Sequence, residues 1–263
     1  MRTVKTILLA VCFAGSASAQ FIPALLQNDS YWADGKAEFN IYAAEIMRGG
    51  IARPCEVIHI LVREPLDSIP VLKLNQILNV PMGLTTQQQM HSNYWRVDNS
   101  ALMKFCLTSS DGAGNVYKEM RRKEDQLTYE FRGVVVATEN ITLPAKGYFY
   151  DELPWLVRTI DFSKPSVPFE IQVAPSVIKS QQDKFEFKSA KITFSTTAKT
   201  IEVRVGEDRF TLDREGPNLL REWKAADGSH LKMKRNLKVD YLKYDKPGDR
   251  ERALNDPMLR LPD

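Results

Sequence analysis

The sequence predicts a mainly β protein: a strongly curved antiparallel sheet or half-open β-barrel with one short helix packed on its concave face. Three observations predict it. Between Lys184 and Asp245, apolar residues alternate with charged ones: Phe185 and Phe187; Ile192 and Phe194; Ile201, Val203 and Val205; Phe210 and Leu212; Leu231 and Met233; Leu237, Val239 and Tyr241. Period two marks a strand with one face on a core and the other in water. Turn residues separate these runs at Gly206-Glu207-Asp208, Glu215-Gly216-Pro217 and Asp227-Gly228-Ser229, which makes the stretch a meander. The third observation is DELPWLVRTIDF, Asp151 to Phe162. There Leu153, Leu156, Val157 and Ile160 recur at helical spacing behind two acidic residues and a proline suited to a first turn.

The remaining elements follow in order. Residues 1–19 read as a signal peptide: Arg2 and Lys5, an apolar run from Ile7 to Phe13, and Ala17-Ser18-Ala19 before Gln20. That run is too short for a permanent membrane anchor. Residues 20–246 read as one β-rich domain. Tyr31 to Gly35 is a turn with an aromatic anchor. Lys36 to Met47 alternates as a strand, with a helix over Tyr42–Met47 as the lesser alternative. Glu56 to Arg63 is a continuous β-branched run, the mark of a central strand. Residues 66–80 are ambiguous, Thr85 to Met90 is a polar loop, and Tyr94 to Val97 resumes a strand. Further strands are expected at Ala101–Thr108, Val116–Met120, Leu127–Thr138 and Phe169–Lys179, with Gly133 marking a bulge or close approach. Residues 247–263 read as a charged, proline-bounded tail, exposed or weakly docked.

Composition excludes some functions. At 43% hydrophobic and 26% charged, 263 residues can bury an ordinary core. Losing Arg2 and Lys5 takes the formal charge from +3 to +1, so the chain is a poor nucleic-acid binder. The expected location is periplasmic or secreted, and no run suits a membrane-spanning helix. Cys55 and Cys106 remain after cleavage: a candidate disulfide in an exported protein, or two buried thiols.

Catalytic motifs are missing. His59, His91 and His230 have no second histidine or cysteine at metal-ligand spacing, so neither metal nor cofactor is expected. His59 reads as a hydrogen-bonded core histidine, and His91 and His230 as exposed. Asp151 and Glu152 are the best carboxylate pair for glycan hydrolysis, but adjacent helical residues point apart, and helix-terminal charge explains them. Arg158 is a candidate partner for one of them. Lys232, Lys234, Arg235 and Lys238 read as a solvated outer face. Aromatic clusters near loop and strand ends suit core packing or the lining of an apolar cleft.

The order of a D-E-L-P-x-x-x-R helix, several strands, the R-E-W-K-A-A-D-G-S-H-L-K-M hairpin and the strand Val239–Tyr244 resembles exported bacterial proteins of the lipoprotein-carrier-like kind. The resemblance covers Tyr148 to Asp245 and rests on pattern. It implies a half-open barrel around an apolar cavity, with helix 151–162 as a plug, and it carries over no site residues. The expectation is a non-enzymatic binding protein that holds a lipid or other apolar ligand on Tyr148, Tyr150, Trp155, Leu156, Trp223 and Tyr241. The alternatives are an envelope glycan hydrolase and an assembly protein that pairs through a sheet edge.

Overall fold

The computed structural model describes residues 21, 30–124, 126–133, 135–164, 166–179 and 185–259; the expected signal segment and its cleavage site lie outside the described residues. Among the described residues, fifteen strands form one sheet. They are β1 (Ala37–Arg48), β2 (Ile51–Leu66), β3 (Ile69–Pro81), β4 (Thr86–Arg96), β5 (Leu102–Asp111), β6 (Gly114–Lys123), β7 (Gln126–Arg132), β8 (Val136–Thr142), β9 (Gly147–Phe149), β10 (Phe169–Ala174), β11 (Lys188–Thr196), β12 (Thr200–Val205), β13 (Asp208–Asp213), β14 (Leu220–Lys224) and β15 (His230–Val239). In space the order is β8-β7-β6-β5-β4-β3-β2-β1-β15-β14-β13-β12-β11-β10-β9. Two meanders therefore meet where β1 pairs with β15. Every pairing is antiparallel except β9 with β10.

This topology forces curvature. β8 and β9 are opposite ends of the sheet, yet only residues 143–146 join them. That link reaches at most about 18 Å, whereas a flat sheet would hold its ends roughly 67 Å apart. The sheet must curl until its ends approach, and it stops short of closing into a barrel. Register breaks at Ile41/Tyr42, Tyr94/Trp95 and Thr211/Leu212 supply bends of the kind that bulges make. The free ends are short: β8 has seven residues and β9 three. Short edges limit pairing with other chains.

The chain between β9 and β10 fills the concavity. A 3-10 turn (Tyr150–Glu152), helix α2 (Leu153–Leu156) and a second 3-10 turn (Val157–Thr159) run in succession; α1 is the short N-terminal turn Ser30–Ala33. Leu153, Leu156, Val157 and Ile160 join one buried cluster with Tyr42, Val57, Ile192, Val203, Phe210 and Leu231. Trp155 and Phe149 join a second with Trp32, Leu61, Trp95, Phe105, Met120 and Tyr129. The plug thus welds the two meanders, and each such aliphatic side chain contributes about 1.5–3 kcal/mol on burial.

Several expectations change. Leu127–Thr138 is two strands, because Gly133 sits in a turn where its N–H donates to Val135 O at 3.0 Å. A Cβ there would meet the Phe131 ring at 2.8 Å, so the close approach is to a side chain. Thr85–Met90 is largely strand, its polarity explained by an inner face that is itself polar. The helix alternative for Tyr42–Met47 is replaced by β1. Phe185 and Phe187 precede β11 and pack edge-on against Tyr129 and Phe149. The tail forms helix α3 (Asp249–Asn255), which lays Ala253 and Leu254 on Leu237, Val239 and Phe39 of the convex face. Cys55 and Cys106 are free thiols. They stand on β2 and β5, separated by β3 and β4 and on opposite faces of the sheet. Three inter-strand steps are roughly 14 Å, beyond the roughly 7 Å that a disulfide tolerates between Cα atoms.

Candidate ligand cleft

The concave face is unusually polar along one transverse row. Asn236 of β15, Asn40 of β1, His59 of β2, Gln76 of β3 and His91 of β4 are successive register partners. His59 is buried and its Nε2 lies 2.7 Å from Gln76 Oε1, as a core histidine should be. Burial pushes its pKa down to about 4, against a smaller opposite pull from Gln76. His91, expected in an exposed loop, is equally buried within β4 and stacks on Phe105; burial pushes its pKa down to about 3. His230 is partly exposed and contacts Glu222 at 2.8 Å.

Beside this row, next to Asn40, the plug carries an ion pair. Arg158 Nη1 and Nη2 donate to Glu38 Oε1 and Oε2, each at 2.8 Å. Arg158 is therefore the partner of Glu38 on β1, and not of Asp151 or Glu152. Asn40 Nδ2 and the Tyr31 hydroxyl also donate to Glu38, and Arg158 packs on the rings of Trp32 and Trp155.

Asp151 and Glu152 serve the interior. Glu152 Oε2 accepts from Trp95 Nε1 at 2.7 Å and Oε1 from Phe149 N at 2.8 Å. Burial raises its pKa to about 7, the hydrogen bonds opposing. Asp151 accepts from Ser176 Oγ and Val177 N, both at 2.6 Å. Lys118 Nζ donates to Val177 O at 2.6 Å from the far side. The loop after β10 is thus clamped between the plug and β6.

That loop overhangs a cleft of about 670 Å³. Its apolar lining is Leu107, Val116, Phe131, Val135 and Ile178, from β5, β6, β7, the β7–β8 turn and the loop. Its polar lining includes Gln87, Gln89, Ser109, Arg48, Lys118, Lys179 and Asp111. Ligand pockets commonly combine this size with an apolar lining and a few placed polar groups. Among the described residues no group of histidine, cysteine and carboxylate side chains is arranged to hold a metal.

The aromatic residues singled out from sequence lie elsewhere. Trp155 and Leu156 are sealed in the core. Tyr148 packs on the first core cluster. Tyr150 and Trp223 come together, rings 5.8 Å apart, both donating to Asp208 Oδ1 and both lining a cavity of about 50 Å³ that shares Arg48, Gln89, Ile178 and Lys179 with the cleft. Tyr241 lies on the convex face, in a groove of about 260 Å³ with Phe39, Ile60 and Ala253. Sequence reasoning missed Arg48, Gln87 and Gln89. The glutamines sit in the polar run Thr85–Met90, where Gln87 and Gln89 share the inner face with His91 just beyond it.

No family model matches the chain, and no curated protein matches it in sequence. Among solved structures it is similar to a β-barrel-like protein of domain of unknown function DUF1849 from Brucella abortus, with a TM-score of 0.52 and 7% identity, over 78% of this chain and 98% of that one. At that identity the likeness shows the fold alone: a curved, barrel-like β-sheet.

Proposed function

We propose that the protein is an exported, non-enzymatic binding protein that holds an apolar or amphipathic ligand, such as a lipid or envelope component, at the mouth of its concave face. The observation that carries this reading is the cleft of about 670 Å³ under the clamped loop, lined by both apolar and polar side chains. The core aromatics are plug and packing in this reading, and the ligand sits beside them, above Leu107, Val116 and Phe131. The lipoprotein-carrier-like resemblance and the leader-like first nineteen residues agree with it. Glycan hydrolysis by Asp151 and Glu152 is disfavoured, because both carboxylates are buried in hydrogen bonds to the interior and neither lines the cleft.

The test uses a neutral apolar dye, N-phenyl-1-naphthylamine, whose fluorescence rises on leaving water. The mature chain is expected to bind one equivalent, and Val116→Trp, which fills the cleft, to abolish the signal while leaving the far-ultraviolet circular dichroism unchanged. Dye binding unaffected by Val116→Trp would place the ligand elsewhere.

A further inference from the structure

The lining of the cleft is predominantly positive. Arg48, Lys118 and Lys179 line it against the single carboxylate Asp111. Two of the cations have structural roles: Lys118 holds Val177 O, and Lys179 is paired with Asp227 of the β14–β15 turn. Arg48 differs. Among the described residues no carboxylate lies within ion-pairing distance of it. Its guanidinium is aimed by neutral acceptors: Nε donates to Gln87 Oε1 and Nη2 to Gln89 Oε1, both at 3.2 Å, and Nη1 to Met47 O at 3.3 Å. A guanidinium has five N–H donors, and these contacts use three. Two remain, on a fork shaped for carboxylate or phosphate. The group is partly withdrawn from water, and Asp227, itself paired with Lys179, attracts it only from beyond ion-pairing distance, so its charge is compensated only in part in a medium that strengthens its attraction for an anion.

We infer that the cleft selects an anionic, single-chain amphiphile, whose carboxylate or phosphate head is bound by Arg48 and whose apolar chain lies on Val116, Phe131 and Ile178. This rests on the reading of the cleft as a binding site and adds its charge selectivity. Arg48 is the specificity-determining residue, with Gln87 and Gln89 as the positioning residues that hold its fork. Lys118 and Lys179 add field of the same sign.

The experiment is isothermal titration of the mature chain, below micelle-forming concentrations, with four probes of equal chain length: dodecyl phosphate, dodecanoate, dodecyl maltoside and dodecyltrimethylammonium. The two anions are expected to bind at least about tenfold more tightly than the cation, the margin of one charge-assisted hydrogen bond. Arg48→Gln should lower affinity for both anions by about tenfold and leave the maltoside unchanged. Arg48→Lys, which keeps the charge and loses the fork, should fall between and serves if Arg48→Gln does not fold. Cation and anions binding alike, or Arg48→Gln weakening all four probes equally, overturns the inference while leaving an apolar cleft. Failure of every probe, the maltoside included, overturns the cleft reading as well. Inorganic phosphate binding as tightly as dodecyl phosphate would make this a free-anion site and overturn the amphiphile.

Discussion

Arg158 of the plug and Glu38 of β1 form a bidentate ion pair in the interior, with both oxygen–nitrogen contacts at 2.8 Å. Glu38 is also held by Asn40 and Tyr31, while Arg158 reaches Pro217 O at 3.1 Å. The pair therefore ties the plug to the strand where the two meanders meet, and Arg158 adds a tie to the β13–β14 turn. Burial alone would raise the Glu38 pKa, but the Arg158 charge and the donated hydrogen bonds outweigh it and hold the group below the usual carboxylate range.

Removing one partner leaves the other charged and buried. Arg158→Met is expected to destabilise the fold by about 3–5 kcal/mol, and Glu38→Leu with Arg158→Met to recover much of that loss. Urea unfolding of the two variants measures both. A single variant that unfolds at the wild-type midpoint would show that the pair is solvated. Because the Glu38 pKa is depressed, its contribution is complete above the unfolded value and is lost as pH falls through the folded one, so the wild type should lose stability below about pH 4.5.

Glu152 has the opposite sign. Its pKa is raised from 4.5 to about 7, so the unfolded chain releases this proton first as pH rises. Its contribution to stability should fall between about pH 4.5 and pH 7 and level off above, by roughly 3 kcal/mol in all, against the opposite trend of the two buried histidines in that interval. Glu152→Gln keeps one oxygen acceptor for the two donors Trp95 Nε1 and Phe149 N and removes the titration, so it should abolish that fall while costing about 1–3 kcal/mol at every pH for the donor left unmatched. Unfolding midpoints at pH 4.5, 6 and 8, followed by tryptophan fluorescence, decide this. An unchanged profile in Glu152→Gln would assign the dependence to another group.

Much of the fold was legible because period-two alternation survives wherever one face meets the apolar core, as in Ile201, Val203 and Val205. The plug was legible because Leu153, Leu156, Val157 and Ile160 all face inward, although only Leu153–Leu156 is α-helical. Alternation fails as a signal where the inner face is polar. Gln87, Gln89 and His91 read as a loop, yet their shared parity places them side by side on β4. Arg158 and Glu38 are 120 residues apart, and nothing in the local pattern of either points to the other. Large rings near strand ends suit a packed plug as well as a cleft, and here Trp155 is sealed in the core while Tyr241 lines a groove of the convex face.

The two buried histidines predict acid sensitivity. His59 and His91 have pKa values lowered to about 4 and about 3, so the unfolded chain takes up their protons from about pH 6.5 downward while the folded one does not. Stability from this source is complete above about pH 6.5 and is lost as pH falls toward 3–4. His91 Nδ1 has no hydrogen-bond partner among the described residues. His91→Leu should therefore be neutral or mildly stabilising at pH 7 and should shift the acid-unfolding midpoint to lower pH. Acid titration by circular dichroism measures it, and a variant less stable than wild type at both pH 7 and pH 4 contradicts the reading.

The loop over the cleft depends on Asp151. Its carboxylate accepts the Val177 N–H and the Ser176 hydroxyl, while Lys118 holds the Val177 carbonyl. Burial raises the Asp151 pKa, against the pull of these donors, so the group is costly to keep without them. Asp151→Ala leaves two donors without their acceptor, an expected loss of about 1–3 kcal/mol. The local effect should exceed the global one, because the clamp is a few hydrogen bonds at one end of a large sheet. Hydrogen exchange at the Val177 amide should accelerate by more than the change in overall unfolding accounts for, and dye binding in the cleft should weaken. Equal acceleration at Val177 and at β2 amides such as Ile60 would mean that Asp151 stabilises the whole fold and gives the loop no separate hold.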